Sequence, residues 1–165
     1  DRFPLDVLNS IMGGQGGRLF LELRDKESLA YEVTSFFRPG LAPGLYGMYL
    51  ACDAPKVDRA FAGLVQEIES IKNTAVGEAE LTKAVDSLIG NHLISLQSSW
   101  DRAEEVGLHT LYGMGYEYDP VYVARIREVK ASDVLRVARK YLDMEHAATV
   151  KILPEGNETG SRSKE

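Results

Sequence analysis

The chain has 165 residues, 44% hydrophobic and 27% charged, which is the composition of a globular domain with a sizeable core. Its formal net charge of -6 argues against a surface for nucleic acid or anionic membranes, because both require a positive field. No apolar run approaches the roughly 18 residues of a membrane span. A single cysteine, Cys52, excludes an intramolecular disulfide and slightly favours a reducing compartment such as the cytoplasm, with periplasmic and organellar locations left open.

The first part of the chain predicts two short helices and a hairpin. Apolar residues at helical spacing predict a helix over residues 4–12, which the glycines of 13–17 interrupt. A second short helix is expected over 17–27. Residues 29–37 and 44–52 are rich in β-branched and aromatic residues and flank a Pro/Gly turn, so they are expected to form an antiparallel hairpin.

The second part predicts a series of helices. An amphipathic helix is expected from Asp53 through Ile71, and one long or kinked helical element over 78–112. The remaining predicted elements are helices over 119–129 and 132–142, a last strand over 147–154, and a disordered tail over 155–165.

This order predicts one α+β domain over residues 1–154. Two adjacent antiparallel strands and a distant third fit a mainly antiparallel sheet with helices packed on one face. Three strands are few for so many helices, so the first strands of the domain are expected upstream, in a longer parent protein.

The glycine cluster "GGQGGR" does not fit a phosphate-binding loop. No Lys-Ser or Lys-Thr pair follows it, and position 19, where a dinucleotide fingerprint starting at Gly14 would need glycine, is Leu19. Both motifs also follow a strand, whereas residues 4–12 have helical spacing. The cluster is therefore expected to form a corner between two helices.

The histidines do not form a recognisable metal motif. His92, His109 and His146 belong neither to H-E-x-x-H nor to the inverted motif H-x-x-E-H. Glu105 and His109 are four residues apart, as ligands on one helix can be, but a surface contact is the expected arrangement because no third ligand is in view. His92 is expected to be a satisfied histidine at the core boundary. The chain is thus expected to hold neither a metal nor a cofactor, and no catalytic constellation of its own.

The stretch "GGRLFLELRDKESLAYEV" closely resembles the M16 metallopeptidase family, which includes insulinase, pitrilysin and the mitochondrial processing peptidase. "AELTKAVDSLIGNHL" is similar to a family helix, and "VKASDVLRVARKYLD" with "ATVKILP" resembles the family's domain end. The resemblance spans about residues 7–154. It implies the LuxS/M16-like fold, a roughly six-stranded, mainly antiparallel sheet with helices on one face.

The resemblance also implies a site. In this family an active domain carries H-x-x-E-H and binds zinc, while a following domain without zinc contributes an arginine and a tyrosine to the substrate cleft. The matching residues here are Arg24 and Tyr31, seven positions apart. The implied zinc would belong to a homologous partner domain, fused or separate, and this chain alone would be inactive.

Three functions follow from this reading. The first is the substrate-binding domain of a zinc endopeptidase that acts on extended peptides, with a dimer left open. The alternative is an inactive structural or assembly domain, like the core subunits of the respiratory bc1 complex. The third is an independent α+β domain that binds a small molecule.

Overall fold

The computed structural model describes residues 1–40 and 44–154, and these form an α+β fold, as predicted. The elements follow in the order α1 (Arg2–Met12), a π-helical segment (Phe20–Lys26), β1 (Glu32–Arg38), β2 (Leu45–Ala51), α2 (Val57–Asn73), α3 (Glu78–Ser95), α4 (Ser99–Leu111), α5 (Tyr118–Arg127) and α6 (Ala131–Tyr141). Short 3₁₀ turns cover Ala54–Lys56 and Met144–His146. Within the described ranges, no helix is both long and apolar enough to cross a membrane.

Helix α1 lies at the centre of the core, in contact with β1, α3, α5 and α6. The apolar stripe predicted for this helix is buried, and so is Val7, which lies off the stripe. A helix with neighbours on several sides buries more than one face, and this explains the additional buried residue. The buried side chains of α1 are Leu5, Val7, Leu8, Ile11 and Met12.

Strands β1 and β2 form the predicted antiparallel hairpin, with Glu32 opposite Ala51 and Arg38 opposite Leu45. Both strands are shorter than predicted. Leu29 and Ala30 precede the ladder because their amides donate instead to the Leu23 carbonyl, at 2.7 and 3.3 Å. Positions 41–43 of the predicted turn lie outside the described residues.

The predicted strand over 147–154 is not part of a sheet. The sheet in the described ranges consists of β1 and β2, and residues 147–154 form no strand. Its backbone is exposed, as are Val150 and Ile152, at 84% and 91% of their surface. The apolar, β-branched composition was correctly identified, but a strand forms only where an adjacent edge supplies hydrogen bonds. The predicted tail over 155–165 falls outside the described residues.

The predicted element over 78–112 consists of two helices, α3 and α4. The break occurs at residues 96–98, where Ser98 caps α4 by accepting a hydrogen bond from the Asp101 amide at 3.0 Å. A serine three residues before an acidic residue is a recognised start signal for a helix. The apolar pattern on both sides concealed this signal in the sequence.

Gly17 gives the first stability prediction. A Cβ at this position would lie 2.0 Å from the Gly13 carbonyl oxygen, a backbone atom that cannot move aside. We expect Gly17→Ala to lower the free energy of unfolding by about 2–3 kcal/mol, measured by urea denaturation. Gly107, exposed in α4 with open space around it, is the control. Gly107→Ala should raise stability by about 0.5–1 kcal/mol, and equal effects of the two substitutions would contradict the steric argument.

Asp6 on α1 gives a pH-dependent prediction. Burial raises the pKa of its carboxyl from 3.8 to about 6, and Arg2 partly offsets this rise. The folded protein therefore binds the proton more tightly than the unfolded chain, and this stabilisation is lost as the pH rises from about 4 through 6. We expect Asp6→Asn to be more stable than the wild type above pH 6, by on the order of 2–3 kcal/mol.

The measurement for Asp6 is the free energy of unfolding at several pH values, compared between the wild type and the Asn variant. Asp58→Asn serves as the control, because the Asp58 side chain is 95% exposed. If the free energy of unfolding depends on pH in the same way for the wild type and Asp6→Asn, burial does not raise the pKa of the Asp6 carboxyl.

Candidate functional site

The glycine segment after α1 forms the predicted corner between two helical elements. Gly14 has a φ of +74°, which L side chains rarely adopt, and Gly17 lies against the Gly13 carbonyl. Directly after the corner, Arg18 forms a two-pronged ion pair with Glu80 of α3, with Nε–Oε1 and Nη2–Oε2 distances of 2.6 and 2.8 Å. This pairing raises the pKa of Arg18 and fixes the corner to α3.

No sequence pattern predicts the ion pair of Arg18. Arg18 belongs to the quoted "GGRLF" stretch, but its partner lies 62 residues away in the chain. A single sequence contains no signal for a pair at that separation.

The segment that follows is a π-helix rather than the predicted α-helix. Its wider turn is visible where the Glu27 amide donates to the Glu22 carbonyl, five residues back, at 3.1 Å. The segment ends at Lys26, and two residues later Ser28 has a φ of +52°. The chain therefore reverses direction within the few residues that separate Arg24 from Tyr31.

Arg24 lies exposed near the end of the π-helical segment. Its guanidinium carbon lies 4.9 Å from the centre of the Phe20 ring, a cation–π distance. Stacking on one face leaves the N–H groups at the guanidinium edge available as donors.

Tyr31 lies just before β1, where its amide donates to the Ala51 carbonyl at 2.8 Å. Its ring is 61% exposed, and its hydroxyl donates a hydrogen bond to the Asp53 carboxylate. This bond raises the pKa of Tyr31 and, together with Lys56 at 3.2 Å, lowers the pKa of Asp53. The phenol is therefore a protonated donor at neutral pH, held by an ionised acceptor.

Arg24 and Tyr31 both line an open groove of about 460 Å³. The other lining residues are Gly14, Gln15, Phe20, Glu32, Val33 and Thr34, from the glycine corner, the π-helical segment and β1. The two predicted site residues are thus brought to one groove, neither of them buried in packing. A smaller cavity of about 290 Å³, between the glycine corner and α3, contains neither.

The histidines differ from their predicted arrangement. His109 is buried, with 4% of its surface exposed, so its contact with Glu105 is not a surface contact. His92 was expected to be satisfied, but its buried Nε2 has no hydrogen-bond partner among the described residues. Asp119 of α5 lies near both rings, at 3.7 Å from His92 Nε2 and 3.8 Å from His109 Nδ1. The sequence did not reveal this third residue, because it belongs to a different helix.

A family model described as the peptidase M16 inactive domain matches residues 1–88, more than half of the chain. The chain belongs to the M16 peptidase inactive-domain family. A zinc protease of Streptomyces coelicolor, itself described as uncharacterised, is 31% identical over 143 residues, which cover 86% of this chain and 31% of the relative. The M16 inactive domain thus spans about a third of the curated relatives it matches.

Solved structures show the same fold. A peptidase M16 inactive domain from Pseudomonas fluorescens superposes with a TM-score of 0.77 at 25% identity, over 87% of this chain and 34% of that one. The inactive peptidase domain of a protein assigned as a zinc protease in Bordetella parapertussis gives a TM-score of 0.74 at 23% identity, over 87% of this chain and 78% of that one.

The relatives are named zinc proteases, but the zinc motif of the family does not fit this chain. The sequence contains no H-x-x-E-H, and its three histidines lie 17 or more positions apart. Two histidine ligands on one helical face are therefore unavailable, and we derive no catalytic step through a metal held by this M16 inactive domain.

The Tyr31–Asp53 pair gives a prediction. Because the carboxylate accepts the phenol's hydrogen bond, Asp53→Asn should lower the pKa of Tyr31 toward its ordinary value. NMR with tyrosine labelled at Cζ measures this pKa, and Tyr31→Phe assigns the signal. Glu32→Gln is the control, since Glu32 is a neighbouring exposed carboxylate in the same groove. Equal shifts of the Tyr31 pKa in both variants would indicate that nearby negative charge, rather than the hydrogen bond to Asp53, raises this pKa.

Proposed function

We propose that this chain is the substrate-contacting domain of an M16 zinc endopeptidase. One observation carries the proposal: Arg24 and Tyr31 lie exposed along the same open groove. The relatives' description as zinc proteases, and the chain's share of about a third of their length, supports a parent protein with further domains. The zinc would be held by a homologous domain that carries H-x-x-E-H, either in the same chain or in a separate subunit.

The proposed substrate is an extended peptide. Metal-assisted peptide hydrolysis develops negative charge on the carbonyl oxygen of the scissile bond. Tyr31, a protonated phenol at the mouth of the groove, can donate a hydrogen bond to that oxygen. Arg24 offers a planar set of donors suited to backbone carbonyls or to a carboxylate of the substrate. Both residues therefore supply donors to a ligand rich in acceptors.

Asp53 sets the resting orientation of the phenol. In the structure the Tyr31 hydroxyl is engaged by this carboxylate, so a substrate oxygen must replace Asp53 as its acceptor. The carboxylate is partly neutralised by Lys56, whose Nζ lies 3.2 Å away. This pairing weakens the competition from Asp53, while the hydrogen bond to the carboxylate raises the pKa of Tyr31 and keeps the phenol protonated as a donor.

The test is steady-state kinetics of the full-length protein on a fluorogenic peptide. We expect Tyr31→Phe to reduce kcat on the order of 10²-fold, as for the loss of one donor to an oxyanion. Arg24→Ala should reduce kcat/KM by roughly 10-fold or more, because a charged hydrogen bond is lost. Tyr116→Phe and Arg127→Ala are matched controls, since both residues are exposed and neither lines the groove.

Three outcomes decide the proposal. Reduced activity in the Tyr31 and Arg24 variants, with the controls unchanged, supports it. Unchanged kcat/KM in both variants overturns the assigned roles. If the full-length protein shows no chelator-sensitive peptidase activity, the result favours the structural or assembly domain instead.

A further inference from the structure

Three helices converge on a cluster of imidazoles and carboxylates, whose residues lie far from Arg24 in the sequence. His92 comes from α3, Glu105 and His109 from α4, and Asp119 from α5. The His109 side chain is 95% buried, with 5% exposed, and the His92 side chain is 12% exposed. Two buried imidazoles therefore meet two carboxylates that remain partly exposed, Glu105 at 36% and Asp119 at 31% of the side-chain surface.

The polar atoms at the centre of this cluster are not satisfied. His92 Nε2, His109 Nδ1 and Asp119 Oδ1 are buried and have no hydrogen-bond partner among the described residues. The Asp119 oxygen lies 3.7 Å from His92 Nε2 and 3.8 Å from His109 Nδ1. These distances are too long for hydrogen bonds. Buried polar atoms in native proteins are nearly always paired, so two orphaned imidazole nitrogens on either side of one orphaned carboxylate oxygen indicate a missing partner.

We propose that these three atoms bind a divalent transition-metal ion, with zinc as the fitting candidate. Zinc binds imidazole nitrogen and carboxylate oxygen at about 2.0–2.2 Å, which sets neighbouring tetrahedral ligand atoms roughly 3.4 Å apart. The observed separations of 3.7 and 3.8 Å differ from this by a few tenths of an ångström. A water molecule completes the fourth position.

Glu105 positions His109 for this role. Its Oε1 lies 3.2 Å from His109 Nε2, the ring nitrogen opposite to the proposed ligand atom. A carboxylate on that side keeps the proton on Nε2 and leaves the Nδ1 lone pair free for the metal.

The attachment of α4 gives the proposed ion its role. Among the described residues of α4, His109 is the buried one, whereas Trp100 and Leu111 are each 77% exposed. An amphipathic helix is normally held by several buried apolar side chains. Here a single polar side chain holds the helix, and the ion would link α4 through His109 to α3 and α5.

Metal binding to the 165-residue chain tests the proposal. We expect zinc to bind at one ion per chain by isothermal titration, and cobalt to give the visible absorption of a four-coordinate site. His109→Gln and Asp119→Asn should weaken binding by 100-fold or more, and Glu105→Gln by about 10–100-fold. His146→Gln is the matched control, because His146 also pairs with an aspartate, Asp143, at 2.7 Å, but is 83% exposed.

If a variant fails to fold, the melting temperature of the wild type with and without zinc provides a second test. At zinc concentrations about a hundred times Kd, we expect Tm to rise by roughly 5–10 °C. Absence of binding by the wild type overturns the proposal. So does unchanged affinity in the His109 and Asp119 variants, or loss of binding in His146→Gln alone. These measurements involve no peptide, so they are independent of the roles proposed for Arg24 and Tyr31.

Discussion

Between α1 and β1 the chain turns at the glycine corner and again at Ser28. The first turn requires that no side chain stand between Gly17 and the carbonyl of Gly13. The close backbone approach there brings Arg18 to Glu80, and their two hydrogen bonds fix the corner to α3. The π-helical segment starts from this fixed point. The positions of Arg24 and Tyr31 therefore depend on a steric condition at a glycine that touches neither of them.

The groove combines firm and adjustable parts. β1 and the glycine corner form its walls, and both are tied to the core through α1 and α3. Arg24 and Tyr31 are instead exposed side chains, one stacked on Phe20 and one bonded to Asp53. Such contacts can be exchanged for contacts to a ligand at little cost, because their atoms are already solvated in part. A rigid frame with replaceable polar contacts would suit the extended peptide proposed above as the ligand.

The sequence was sufficient for features that depend on local chemistry. Helical spacing located α1 and α2, the aromatic and β-branched runs located β1 and β2, and the glycine cluster predicted a corner. Arg24 and Tyr31 were identified from the family resemblance, whereas composition and spacing alone would have left them as an ordinary helix-end arginine and sheet tyrosine. Their common groove could not be read from their spacing, because it depends on a π-turn that has no sequence signature.

Features that depend on distant partners could not be predicted. Arg18 and Glu80 meet across 62 positions, and Asp119 approaches two histidines from another helix. Burial of His109 could not be read from α4 itself, whose other residues are polar or exposed. The strand predicted over 147–154 failed for the same reason, since its formation requires an edge elsewhere in space.

That segment also affects how the protein behaves in solution. Residues 147–154 are exposed, lie outside the sheet and carry the β-branched side chains of Val150 and Ile152, and unpaired backbone groups beside such side chains can act as a template for a second extended chain. Lys151, held by Asp58 at 3.0 Å, places one charge in the middle of the stretch and opposes such association. A neutral side chain at position 151 would remove the charge that separates Val150 from Ile152 and would favour pairing of this stretch with a second chain.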